Sequence, residues 1–373
     1  MNKSKIWLSS PHMGGKEQKY VQEAFDTNWV SPLGPNVTSF ENLLKTFLGK
    51  DKQVVALSSG TAAIHLALIV AGVQQGDEVL CQSFTFSASA NPITYVKATP
   101  VFIDSEQETW NLCPVLLEEV IQDRIANGKK PKAIIVVHLY GMPAKMEEIN
   151  KIAQKYEIIL IEDAAEALGS SYHGQKCGTL GSFGILSFNG NKIITTSGGG
   201  ALVCNNDIDK NKAILLANQA QDEAPHYQHS QIGYNYKMSN IVAGIGRGQM
   251  EVLEKRVHAR RVNFEFYQEK FIDLPEIQLL AEPAGFYANR WLSCILTPSY
   301  EIREKIRHTL EEENIESRPL WKPMHQQPVF EKYPSYTTGV SDDLFKRGLC
   351  LPSGSNLSKE DLLRVVQQVK SQF

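Results

Sequence analysis

Cysteine is scarce and scattered in this chain: Cys81, Cys113, Cys177, Cys204, Cys294 and Cys350 form no Cys-x-x-Cys pair, and no histidine cluster stands at ligand spacing. Buried free thiols are therefore expected in place of a metal site or a disulfide frame. Long apolar runs are also missing. Stretches such as Ala133–Val137 fall far short of the roughly 20 residues of a membrane span. With a net charge of -3 and no basic cluster interleaved with aromatics, the chain lacks the footprint of a nucleic-acid binder. Neither the P-loop lysine nor the spaced glycines of a dinucleotide fingerprint occur, which makes ATP and NAD poor ligands. The opening Met1-Asn2-Lys3-Ser4-Lys5 leads to no apolar signal core, so the expected location is the cytoplasm.

What is present is enough chain, 373 residues, for one large domain and a smaller one. From residue 50 onward, short β-rich runs (Val54–Leu57, Glu78–Cys81, Pro100–Ile103, Ala133–His138, Glu157–Ile161, Gly184–Phe188, Ala201–Cys204) alternate with helix-period stretches such as Ile64, Ala67, Leu68, Ala71 and Met146, Ile149, Ile152, Ala153. That alternation predicts an α/β fold, a mainly parallel sheet with helices on both faces. After about residue 240 the pattern turns to a long helical run, Asn240 to about Phe271. Helices follow at about Tyr300–Asn314 and Ser358–Gln372. The expected division is a large domain over 1–245 and a smaller α+β domain over 246–373.

Ligands of such sheets gather at the carboxyl ends of the strands. One predicted strand runs into Ser58-Ser59-Gly60-Thr61, which opens a helix; small residues, hydroxyls and a helix N-terminus suit a phosphate, although the same residues make an ordinary N-cap. Another ends in Glu162-Asp163-Ala164-Ala165-Glu166, where an aspartate can pair with a protonated ring nitrogen or cap a helix. Gln82-Ser83-Phe84-Thr85-Phe86 places aromatics at the same edge, for stacking on a flat ring or for core packing. Finally, Lys192 sits between the apolar Ile185, Leu186, Phe188 and Ile193, Ile194, among glycines and small polar residues. This is an odd place for a solvated lysine. A free amine condenses with aldehydes, and the four parts together fit pyridoxal 5'-phosphate (PLP), which brings an aldehyde, a ring nitrogen and a phosphate.

The chain resembles the DegT/StrS family of sugar aminotransferases, of the aspartate aminotransferase fold type (PLP fold type I). Matching stretches are Ser10-Pro11-His12-Met13-Gly14-Gly15, Ser59-Gly60-Thr61-Ala62-Ala63, Ser83-Phe84-Thr85-Phe86, Glu162 to Gly169, Ser187-Phe188-Asn189-Gly190-Asn191-Lys192 and Gly233-Tyr234-Asn235-Tyr236. The resemblance implies that Lys192 is the Schiff-base lysine and proton shuttle, and that Asp163 partners the pyridine nitrogen. It further implies that Gly60, Thr61 and Ser187 hold the phosphate and that Phe86 stacks on the ring. Asn235 would reach the phosphate of the neighbouring subunit's cofactor, so a homodimer with shared active sites is expected. Glu166 stands where many relatives carry Gln beside the ring hydroxyl; two anions there would repel, so either Glu166 or the ring oxygen keeps a proton. Lys237 replaces a frequent Arg.

Within the family, the chain resembles bacterial aminotransferases acting on UDP-linked 4-keto sugars in bacillosamine synthesis. The similarity rests on Pro11 to Gly15, Glu166, Thr195 to Gly200 and Arg318-Pro319-Leu320-Trp321-Lys322-Pro323-Met324-His325. It implies L-glutamate and a nucleotide keto sugar as substrates, with His12, Arg318, Trp321 and His325 on the sugar nucleotide. Cations and rings suit a diphosphate and a uracil; a turn fixed by Pro319 and Pro323 would account for the same segment.

Overall fold

Short apolar, β-branched runs bounded by turn residues become strands where the alternation predicts them. The computed structural model describes residues 4–373; the first three residues of the N-terminal stretch read for a signal lie outside the described residues. Two helices open the chain, α1 (Glu17–Asp26) and α2 (Pro35–Leu48). Then β1 (Gln53–Leu57), α3 (Gly60–Val70), β2 (Glu78–Gln82), α4 (Ser87–Tyr95), β3 (Thr99–Ile103), α5 (Pro114–Ala126), β4 (Ala133–Val137), α6 (Met146–Lys155) and β5 (Ile159–Asp163) alternate without interruption. A small hairpin, β6 (Ser171–Tyr172) and β7 (Gln175–Lys176), precedes β8 (Phe183–Ser187), β9 (Gly200–Cys204) and α7 (Asp207–Ala217).

The main sheet runs β1-β9-β8-β5-β4-β2-β3 and is closed at its far edge by a strand from the C-terminal part, described below. Only β9 is antiparallel to its neighbours. Side chains alternate across it, as a period of two requires. Val79, Cys81, Ile135, Ile161 and Ile185 pack with α3 and α7, whereas Leu80, Val101, Ile134, Val136 and Leu160 pack with α5 and α6. The predicted strand at Glu157–Ile161 begins two residues later, because Glu157 takes a left-handed turn (φ 53°). The strand consequently extends through Asp163.

The helical run expected from Asn240 is two helices, α8 (Asn240–Met250) and α9 (Leu253–Lys270), broken at Glu251 and Val252. Glycines set the position of α8: a Cβ on Gly246 would lie 2.8 Å from the Phe40 ring, and one on Gly248 2.8 Å from Glu17 N. Beyond α9 come β10 (Gln278–Leu279), β11 (Phe286–Tyr287), β12 (Ser293–Leu296), α10 (Tyr300–Glu312), β13 (Arg318–Pro319), β14 (Ser335–Tyr336), α11 (Val340–Arg347), β15 (Gly348–Leu351) and α12 (Lys359–Lys370). A second sheet, β10-β12-β15-β13, carries α10 and α12 over its own apolar cluster.

Several segments cross the 245/246 division, one of them β11, which pairs antiparallel with β6. Ile6 packs into the C-terminal cluster and bridges Ile315, and β14 pairs in parallel with β3 as the eighth strand of the main sheet. Asp104, just past β3, fastens that join by accepting backbone N–H bonds from Thr338 (2.7 Å), Gly339 (2.9 Å), Val340 (3.2 Å) and Ser341 (3.0 Å). Among the described residues no helix is long and apolar enough to cross a membrane.

Candidate active site

The carboxyl ends of β1, β2, β4, β5 and β8 share one edge of the main sheet, and the reversed direction of β9 brings its first residues there as well. A cavity of about 310 Å³ opens at this edge, a size suited to a small-molecule site. Of the residues singled out in the sequence, Gly60, Thr61, Phe86, Asp163, Glu166, Ser187, Lys192 and Trp321 all line it.

At one end of the cavity α3 begins. Ser59 caps it, its hydroxyl accepting from Ala62 N–H at 3.0 Å, and the free N–H groups of the first turn carry partial positive charge. A Cβ on Gly60 would stand 3.2 Å from Ser187 Cβ, and one on Gly200 would stand 2.3 Å from Gly60 N. Gly200 is required for the helix to start this close against β9, and Gly60 leaves room beside Ser187.

Asp163 ends β5 and is nearly fully buried. Its Oδ2 accepts from Ser89 Oγ at 2.6 Å and its Oδ1 from Ala165 N–H at 3.1 Å; Thr85 Oγ1 lies 2.8 Å from Ser89 Oγ. The carboxylate is thus held in one orientation by groups that favour its charge. Its neighbour Glu162 points to the other face of the strand, as alternation demands. There it accepts from Gly178 N–H (2.8 Å), Gly181 N–H (2.5 Å), Leu180 N–H and His138 Nε2 (2.8 Å). Ala144 N–H donates to His138 Nδ1 at 3.0 Å, which assigns the ring hydrogen to Nε2.

Lys192 follows β8 on a loop whose Asn191 carbonyl accepts two hydrogen bonds, from Ser9 Oγ and from Trp291 Nε1, both 2.7 Å. Its Nζ lies 3.5 Å from Glu166 Oε1 and 4.1 Å from the centroid of the Trp291 ring. Glu166 Oε2 accepts from Tyr140 N–H at 2.7 Å. Burial raises the Glu166 pKa above its ordinary range, outweighing the opposing pull of Lys192 and of that N–H. Tyr140 is buried in a left-handed conformation (φ 56°) and stacks with Trp291 and Trp321, making an aromatic wall. Phe86 is half exposed at the mouth, its ring centroid 5.7 Å from that of Trp321.

Other expected contacts lie elsewhere. Arg318 is exposed, paired with Glu316 at 3.1 Å, and lines a separate cleft of about 880 Å³ with Trp7 and Arg303. His12 Nδ1 lies 3.0 Å from Ser355 Oγ. Both ring nitrogens of His325 are engaged, Nδ1 with Ser83 Oγ (2.7 Å) and Nε2 with Asp342 Oδ1 (2.9 Å). Asn235 is exposed and bridges Asn218, outside the lining of the cavity. Conversely, Ser89, Tyr140 and Trp291 were not singled out by sequence reasoning; Ser89 and Trp291 line the cavity and Tyr140 stands behind it. No group of three or more metal-binding side chains occurs among the described residues.

An amine, a fixed carboxylate and a helix N-terminus with hydroxyls in one cavity are the donor set that suits PLP, and with this sheet they define a PLP-dependent enzyme of fold type I. The chain belongs to the DegT/DnrJ/EryC1/StrS aminotransferase family, which it matches over residues 11–370. It is 52% identical to EpsN of Bacillus subtilis (strain 168), over 97% of this chain and 94% of that one. It is also 37% identical to the GDP-perosamine synthase of Escherichia coli O157:H7, over 98% and 97%. Among solved structures, Spr1654 of Streptococcus pneumoniae in its PLP-form superposes with a TM-score of 0.91 at 26% identity, covering 99% of this chain and 98% of the other. The protein is accordingly a PLP-dependent sugar aminotransferase.

Proposed function

We propose that the chain works as a cytoplasmic homodimer that transfers the amino group of L-glutamate to C4 of a UDP-linked 4-keto-6-deoxy-N-acetylhexosamine, for bacterial surface-glycan synthesis. The observation that carries the transamination is the position of Lys192 Nζ, in reach of Glu166 and in one cavity with Asp163. A nucleotide-linked substrate is supported by the likeness to a GDP-perosamine synthase; the UDP 4-keto sugar is supported by the sequence resemblance described above. A dimer is supported by the exposed apolar run Phe25, Trp29, Val30 and Leu33, and Asn235 is the residue proposed to reach the partner's cofactor.

When bound, PLP supplies an aldehyde and an electron-withdrawing ring. Asp163 would orient that ring through its nitrogen, and the α3 N-terminus with Thr61 and Ser187 would hold the phosphate. Lys192 Nζ would be the base that takes the donor's α-proton and the acid that returns it. The same amine moves the proton in the opposite sense when the keto sugar is aminated. Phe86 and Trp321 cover the mouth and exclude water.

The test is the absorbance of the purified protein before and after L-glutamate, followed by a panel of UDP-, GDP- and dTDP-linked 4-keto sugars and a UDP-linked 3-keto sugar. Loss of the yellow band with glutamate, then its return fastest with the UDP 4-keto sugar, is the expected result. Fastest return with the GDP-linked sugar would replace the substrate by the second reading, which the 37% identity favours. A protein that takes up no PLP would overturn the assignment.

A further inference from the structure

The outer cleft of about 880 Å³ shares no lining residue with the active-site cavity, and its wall holds a buried cation whose donors are unspent. Arg303 is only 3% exposed. Its guanidinium carbon lies 4.8 Å from the centroid of the Tyr300 ring and 6.0 Å from that of Phe345, so two aromatic rings hold it. Among the described residues the guanidinium donates no hydrogen bond, and its Nε is sealed from solvent without an acceptor. Glu304 Oε1, 3.3 Å from Nε, makes an ion pair with it and no more. A buried arginine normally spends its donors; one stacked on rings with its N–H groups unused is arranged to take a planar or tetrahedral oxyanion.

The acids around it are already engaged. Glu304 and Glu311 pair with Arg307 at 3.0 and 3.2 Å. Glu316 takes Arg318 at 3.1 Å and Leu8 N–H at 3.0 Å, and Asp342 takes His325 at 2.9 Å and Gln326 at 2.8 Å. Lys346, by contrast, is exposed in the cleft and has no ion pair or hydrogen bond among the described residues. In the same cleft the Trp7 indole is 56% exposed, with Lys5 Nζ 5.5 Å from its ring centroid. A large ring left open to water beside unspent cations offers a stacking face for a flat aromatic group.

We propose that this cleft is a nucleotide site distinct from the active site, which takes a nucleoside diphosphate with its phosphates on Arg303 and Lys346 and its base against Trp7. The site does not depend on which sugar the enzyme aminates. A free diphosphate and a sugar-linked one present the same base and phosphates, so either source fits.

The test is calorimetric titration of the full-length, PLP-loaded protein with UDP. One binding event per chain is expected to weaken at least about tenfold in Arg303→Met and in Lys346→Glu, as the loss of a charge-assisted contact requires, while the rate of the glutamate half-reaction stays within about twofold. Trp7→Ser should weaken UDP by about fivefold and leave inorganic phosphate, which has no ring, unchanged. Should Arg303→Met fold poorly, the other two substitutions alter exposed side chains and carry the test alone. UDP-N-acetylglucosamine titrated in parallel separates the sources: affinity equal to that of UDP admits the sugar-linked form, and its exclusion leaves the free diphosphate. UDP binding that none of the substitutions weakens would belong to the active-site cavity alone and overturn the cleft site, as would wild-type protein with no affinity for UDP. Both results would leave the aminotransferase assignment standing.

Discussion

Ser89 Oγ and Asp163 Oδ2 are joined by a 2.6 Å hydrogen bond in the buried floor of the cavity. It spans 74 residues of sequence and ties the first turns of α4 to the end of β5. Asp163 keeps one other partner, Ala165 N–H. Ser89→Ala should therefore loosen the carboxylate without removing it, raising the PLP Kd by about three- to tenfold, part of the energy of a charge-assisted bond. Cofactor titration by fluorescence measures this; an unchanged Kd would show that Ser89 does not orient Asp163.

Lys192→Ala should give a folded protein that binds PLP noncovalently and has negligible turnover. Borohydride treatment should fix PLP to the wild-type chain and leave the variant unlabelled by mass spectrometry. Near-normal turnover in the variant would remove Lys192 from its assigned role.

Glu166 predicts a pH dependence with a definite sign. Burial places its native pKa above the ordinary 4.5. The native state thus prefers the protonated form, a contribution complete below the unfolded pKa and lost as pH rises through the native one. In cofactor-free protein Glu166→Gln should melt higher than wild type near neutral pH, with the gap narrowing as the pH falls toward the unfolded value of 4.5. A gap that widens on acidification would mean that the ion pair with Lys192 outweighs burial.

Glu162 should behave as a structural carboxylate. It receives three backbone N–H groups and the His138 ring, and glutamine would turn an NH2 toward one of these donors. Glu162→Gln is expected to destabilise the protein by about 2–4 kcal/mol in urea denaturation, with the cofactor spectrum unchanged. A loss under about 1 kcal/mol would show that the turn at 178–181 does not depend on it.

The sheet was legible because its strands are short apolar runs between turn residues, Asp163 because it ends such a run, and Lys192 because it stands as a lone charge between apolar residues. Ser89 and Trp291 were not, since their partners lie 74 and 100 residues away in the chain, and local patterns carry no information about which distant polar atoms meet. The segment from Arg318 to His325 illustrates the converse. Its charged and ring side chains are neighbours in sequence, but the fold distributes them: Arg318 to an outer cleft, Trp321 to the cavity, and His325 to a link between Ser83 and Asp342. A cluster in sequence need not be a cluster in space. The break at Glu251 and Val252 was also hidden, because no proline or glycine stands at it.

The strand β14 stitches the C-terminal part of the molecule into the main sheet. Because the C-terminal part is sewn into the main sheet beside β3 and riveted by Asp104, it has no single hinge about which to swing open as a jaw. The two parts therefore share one hydrogen-bonded sheet, and loosening either of them strains the other.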